Sequence, residues 1–189
     1  MVRIFIGILV PSEIRNNIIS VQKKLNNLAI KAKMVEPENL HISLSFLGEI
    51  DDKKVDEISG KLDSIAKNYQ KFEITISGIK FIPNENYFRV LAFDVLSPEN
   101  VLRKEIVKAP IIERISSEIR KEIGGDVKPP HLTICRVRSI GNKNLVIQEI
   151  IKRLENFKES FKVNSIQILE STLQRSGPIY SVIHESRLS

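Results

Sequence analysis

Two stretches of the chain run through the same succession of hydrophobic periods, and that recurrence limits the folds open to it. Residues 3–10 are short and rich in β-branched side chains, and Pro11 and Ser12 close them with a turn and a helix cap, as in a strand that feeds a helix. After Ser12, Ile14, Ile18, Val21, Leu25 and Leu28 recur at spacings of three and four, which draws one apolar stripe and leaves Lys23, Lys24 and Asn27 outside it. A strand over residues 40–47 follows. A helix capped by Asp51 or Asp52 then carries Val55, Ile58, Leu62, Ile65 and Tyr69. Strands over 72–82 and 88–96 are joined by a loop through Pro83, Asn84 and Asn86.

The order then begins again. Residues 97–108 read as a separate short helix, and Pro110 opens a longer one along Ile111, Ile115, Ile119 and Ile123 that Gly124 and Gly125 stop. Pro129 and Pro130 lead into a strand over 131–137. Asn142 or Asn144 starts a helix through Ile147, Ile150, Leu154 and Phe157, and strands near 161–169 and 179–183 finish the pattern. The expected class is α+β, with two pseudo-symmetric lobes, each a mainly antiparallel sheet with helices on its outer side, and an active-site cleft between them. No low-complexity or Gly/Ser linker interrupts the chain. The lobes are therefore expected to form one domain over 1–189, with sequence halves of roughly 1–82 and 88–189 that are free to exchange strands.

Composition narrows the class of partner. Hydrophobic residues make 42% and charged residues 28%, a balance that excludes a disordered tail or a collagen-like repeat, and the single Cys135 excludes an internal disulfide. Lys and Arg number 29 against 23 Asp and Glu, a formal +6 that favours anionic partners. No run approaches the roughly 18 apolar residues of a membrane-spanning helix, and the apolar opening has no secretory cleavage site, so a cytoplasmic protein with no membrane partner is expected.

Only three histidines are present, and two of them open matching apolar segments, His41-Ile-Ser43-Leu and His131-Leu-Thr133-Ile. Strand side chains alternate, so His41 shares a face with Ser43 and His131 with Thr133, while Ile42, Leu44, Leu132 and Ile134 turn into the core. Each strand thereby presents an imidazole and a hydroxyl together.

With these residues the chain resembles the 2H phosphoesterase superfamily, marked by two His-x-Thr/Ser-x motifs, and within it the RNA 2',3'-cyclic phosphodiesterases historically called 2'-5' RNA ligases. The likeness runs from Arg3-Ile-Phe5-Ile-Gly7 through His41-Ile-Ser43-Leu-Ser-Phe46-Leu-Gly48 and His131-Leu-Thr133-Ile-Cys-Arg136 to Leu169-Glu-Ser171 and Gly177-Pro-Ile-Tyr180. Ser43 stands where threonine is usual. It keeps the hydroxyl and loses the methyl group that restricts its rotamer.

The resemblance implies an enzyme that hydrolyses RNA 2',3'-cyclic phosphate ends to 2'-phosphate ends, with His41 as proton donor to the leaving 3' oxygen and His131 as proton acceptor from water. The chemistry suits the residue types. Opening the ring needs one group to take a proton and another to give one, and imidazole titrates close enough to neutrality for both tasks. Ser43 and Thr133 can donate to the non-bridging oxygens, and Arg136 can add a fixed positive fork. Strict alternation from His131 puts Arg136 on the opposite face, so it reaches the phosphate only where the strand ends, twists or bulges. Its counterpart at the same offset in the first motif is Phe46, a core or base-stacking position.

Other candidates carry less. Cys135 shares the His131 face by alternation but lacks a base motif beside it, and His184 has no partner at a useful spacing, so both read as structural. Lys128, Arg138 and Arg175 are basic residues that could follow an RNA backbone. No His-Glu-x-x-His, paired-cysteine or glycine-rich motif appears, so neither a metal nor a cofactor is expected. The expected partner is RNA with a cyclic phosphate terminus, tRNA fragments included, bound by a monomer. Two further readings stand beside hydrolysis: a 2'-5' RNA ligase that joins the cyclic phosphate to a 5'-hydroxyl, and a non-catalytic module that holds RNA ends.

Overall fold

The computed structural model describes residues 1–97, 109–175 and 177–189. Its elements in chain order are β1 (Val2–Leu9), α1 (Ser12–Leu25), β2 (Ile30–Met34), β3 (His41–Ile50), α2 (Val55–Lys67), β4 (Phe72–Asn84), β5 (Tyr87–Leu96), α3 (Ile111–Glu122), β6 (His131–Ile140), α4 (Lys143–Leu154), β7 (Lys158–Val163), β8 (Ser165–Gln174) and β9 (Gly177–Arg187). The helix expected over 97–108 falls, beyond Ser97, outside the described residues.

The expected separate sheets, one for each lobe, are a single sheet of antiparallel pairs. Its order is β7-β4-β5-β6-β3-β1-β8-β9, with β2 paired to the far end of β6. One residue pair, Ile42 with Leu132, joins β3 to β6 and so links two half-sheets. The halves of the sheet do not follow the halves of the chain: β4 and β5 lie with β6, and β8 and β9 lie beside β1. Helices α2 and α3 pack on the β3-β1-β8-β9 half, and α1 and α4 on the other. Their apolar stripes, Ile14, Ile18 and Val21 on α1 and Ile112, Ile115 and Ile119 on α3, close over Ile42, Leu44, Leu132 and Ile134 in one continuous core.

Two local features go beyond the periodicity of the sequence. Ile30 to Met34 carries no strand pattern, since Lys31, Ala32 and Lys33 have low strand propensity; pairing with β6 makes it β2. The strand expected over 161–169 is two strands on opposite flanks of the sheet, with only Asn164 between them. Consecutive Cα atoms are about 3.8 Å apart, so a one-residue link lets β7 and β8 diverge from almost a single point. The sheet must therefore curl until its flanks meet there. Ser189 completes the closure by bonding its amide to Tyr69 O and accepting from the Lys71 amide.

Close approach at the centre fixes one residue type. Gly7 pairs with Ser43, and a Cβ at Gly7 would lie 2.8 Å from the Ile42 carbonyl oxygen, inside contact distance to backbone that cannot swing away. Gly7→Ala is expected to cost about 1–3 kcal/mol as an overpacked strand pair. Urea denaturation checks this through a lower midpoint at unchanged slope.

Candidate functional site

A β-bulge in each central strand decides which side chains reach the site. In β6, Thr133 pairs with Ala92 and Cys135 with Leu91, so Ile134 is an extra residue. Ile134 and Cys135 are both buried, and alternation resumes one step late with Arg136 exposed. His131, Thr133 and Arg136 therefore share a face. The expectation from strict alternation is corrected on two counts. Arg136 joins the histidine, and Cys135 leaves it for the core, where burial pushes its thiol up to about 12 and keeps it protonated.

β3 repeats the device. Ser43 pairs with Gly7 and Ser45 with Ile6, so Leu44 is the extra residue; Leu44 and Ser45 are buried while His41, Ser43 and Phe46 turn outward. The registers match residue for residue, since Phe5 faces Phe46 as Val90 faces Arg136. The Ile42–Leu132 pair sets the two strands side by side, and His41, Ser43, His131, Thr133 and Arg136 all line one cavity of about 800 Å³. Lys128 lines it too, whereas Arg138 and Arg175 do not.

Each imidazole is held in the same way. His41 Nδ1 lies 2.6 Å from Asn39 O, and His131 Nδ1 lies 2.9 Å from Pro129 O. A carbonyl only accepts, so Nδ1 carries the hydrogen in both rings and the second nitrogen, Nε2, is left for the cavity. Among the described residues no carboxylate pairs with Arg136.

The surroundings of the two rings differ. Phe5 and Tyr180 pack against His41 at centroid distances of 4.8 and 5.0 Å, Tyr180 edge-on. Burial lowers the His41 pKa below the ordinary 6.5; the bond to Asn39 opposes this, and the nearby positive charges of His131 and Arg136 add to it. Asn39 also donates from Nδ2 to Pro178 O at 2.8 Å, which ties the segment before His41 to the strand that carries Tyr180. Sequence reasoning missed Asn39, Phe5 and Tyr180 as neighbours of His41. The alternation of Arg3, Phe5 and Gly7 was visible, but their place opposite β3 depends on long-range pairing.

His184 lies away from this cavity. Its Nε2 donates to Asp63 Oδ1 at 2.8 Å and the Ser186 hydroxyl to the same oxygen at 2.6 Å, a staple between β9 and α2. Among the described residues no three His, Cys, Asp or Glu side chains cluster as metal ligands, and no helix is long and apolar enough to cross a membrane.

A bulged pair of histidine strands on one curled antiparallel sheet is an arrangement with known relatives. The model of the LigT-like phosphoesterases matches residues 8–92 and 107–180, and the chain belongs to that family of enzymes. It is 36% identical to the RNA 2',3'-cyclic phosphodiesterase of Methanocaldococcus jannaschii over 97% of this chain and 99% of the relative. It is 34% identical to that of Aquifex aeolicus over 98% and 96%. Among solved structures, TT0787 of Thermus thermophilus shares the fold at a TM-score of 0.76 and 20% identity, covering 98% of this chain and 97% of that one. Escherichia coli LigT in its apo form does so at 0.69 and 20% identity, covering 100% and 98%.

The asymmetry between the rings is measurable. In an NMR titration of the free protein, His41 is expected to lose its proton below pH 6.5. Arg136→Met removes a like charge and is expected to raise the His41 midpoint; an unchanged midpoint would show that Arg136 does not act on the ring.

Proposed function

We propose that this phosphoesterase hydrolyses RNA 2',3'-cyclic phosphate ends to 2'-phosphate ends by metal-independent acid–base catalysis with two histidines. The cavity, read as the active-site cleft between two pseudo-symmetric lobes, is where the reaction takes place. The observation that carries this reading is the matched pair: two imidazoles with Nδ1 tied to backbone and Nε2 left for one cavity, each with a hydroxyl two residues on. The names of the relatives at 34% and 36% identity point the same way.

In the proposed reaction His131 Nε2 takes a proton from water as the water oxygen bonds to phosphorus. The bond from phosphorus to the 3' oxygen breaks, and His41 Nε2–H delivers its proton to that oxygen. The net change is one water added, with a 2'-phosphate and a 3'-hydroxyl formed. Ser43 and Thr133 donate to the non-bridging oxygens, where charge builds, and Arg136 supplies a guanidinium beside them.

The lowered His41 pKa bears directly on its role as the acid. In the free protein most of His41 is neutral at pH 7, and a bound phosphodiester anion offsets the positive charge of Arg136 and draws the proton back. Substrate binding and arming of the acid are thus one event.

Both histidines can be tested directly. On a cyclic-phosphate oligonucleotide in excess chelator, His41→Ala and His131→Ala are each expected to lower kcat/KM by about a hundredfold to ten-thousandfold, with wild type releasing a 2'-phosphate. Near-normal turnover in both variants would end the mechanism. Added 5'-hydroxyl oligonucleotide tests the ligase reading, through a joined product. The pH profile of kcat/KM is expected to be bell-shaped, with an alkaline limb below pH 6.5 from His41; in kcat, which reports the bound state, that limb moves to higher pH.

A further inference from the structure

The two imidazoles are held alike at Nδ1, yet the residue that holds His41 makes one bond with no counterpart at His131. The Asn39 carbonyl takes the His41 Nδ1 hydrogen, while the Asn39 side chain reaches away to donate from Nδ2 to Pro178 O at 2.8 Å. Pro129, in the matching place before His131, has no side-chain donor. Pro178 stands two residues before Tyr180 on β9, so the two share a face, and both line the cavity.

The fold gains little from the Asn39 amide. Asn39 is 6% exposed, and its Oδ1 is buried without a hydrogen-bond partner among the described residues. An unsatisfied buried acceptor costs stability, and an apolar side chain of the same size would pack there without that cost. What the amide supplies is the Nδ2 bond. β9 is an edge strand paired with β8 alone, so this bond ties the end that bears Tyr180 to the segment that bears His41. Phe5, the other ring against His41, needs no such tie, since β1 is paired on both sides.

We infer that Asn39 is a positioning residue for His41: it docks the β8–β9 hairpin on the first histidine motif and so sets Tyr180 edge-on as a wall between the imidazole and solvent. The consequence for turnover rests on the proposed hydrolysis, in which His41 is the acid; the consequence for the ring does not. An acid packed against Tyr180 at 5.0 Å keeps one orientation toward the leaving oxygen and is screened from water. Tyr180 acts by shape and not by charge. Burial holds its hydroxyl above the ordinary 10 against the pull of Arg136 and Arg3, so it stays neutral where imidazoles titrate. The charges that face His41 are those of His131 and Arg136, and a substitution at Asn39 removes neither.

An NMR titration of both histidines tests this. Asn39→Leu is expected to raise the His41 midpoint toward 6.5, to leave that of His131 in place, and to keep a urea midpoint near that of wild type. On a cyclic-phosphate oligonucleotide it is expected to lower kcat/KM about twofold to tenfold, the worth of one neutral hydrogen bond. Tyr180→Leu is expected to raise the His41 midpoint likewise, and the double variant to do little more than Tyr180→Leu alone, because Asn39 acts through Tyr180. An unchanged His41 midpoint, equal shifts at both histidines, or shifts that add overturns the inference. Wild type supplies a check that needs no variant: the Asn39 Nδ2 proton that bonds Pro178 O is expected to exchange slowly with solvent. Fast exchange overturns the inference even if Asn39→Leu does not fold. An oligonucleotide that wild type leaves intact removes the proposed hydrolysis, and the titration still decides the role of Asn39.

Discussion

A single residue pair, Ile42 with Leu132, holds the architecture of this molecule together. Both side chains are fully buried, and because strand residues alternate, their burial obliges His41 and His131 to turn the other way. The hydrophobic effect thus orients the polar residues without touching them. Ninety residues separate the histidines along the chain, yet they line one cavity because their apolar neighbours share one core.

The bulges refine that arrangement. Inserting Leu44 in one strand and Ile134 in the other shifts the alternation by one, which keeps the first two outward positions and adds a third on the same face. Without the shift Phe46 and Arg136 would point into the core, where a guanidinium is costly to bury. Gly7 and Ala92, opposite the two hydroxyl residues, are the small side chains that leave room for the partner strands there.

How much of this was legible in the sequence follows from which interactions are local. The helix stripes and the His-x-Ser and His-x-Thr faces could be read, because periods of 3.6 and 2 depend on neighbours only. The bulge could not. His131-Leu-Thr133-Ile-Cys135-Arg136 is compatible with plain alternation, and only the pairing with Leu91 and Ala92 shows that Ile134 is the extra residue. For the same reason β2 was invisible, being a weak strand former recruited by β6, and β7 and β8 merged, since one asparagine carries too little turn signal to announce a change of flank. The apolar packing of Phe5 and Tyr180 on His41 joins residues from both ends of the chain and lay equally out of reach.

The one-residue passage at Asn164 has a consequence for how the molecule acquires its shape. Strands from early and late in the chain are interleaved, and β8 and β9 complete the half-sheet begun by β1 and β3. That half therefore cannot form as an autonomous kernel, and its partner half needs β7 for its outer flank. Such long-range pairing gives a high contact order, so the chain collapses cooperatively and more slowly than a helical bundle of equal size. A nascent chain stalled before residue 165 would hold both strands that carry His41 and His131 and still lack the scaffold that aligns them.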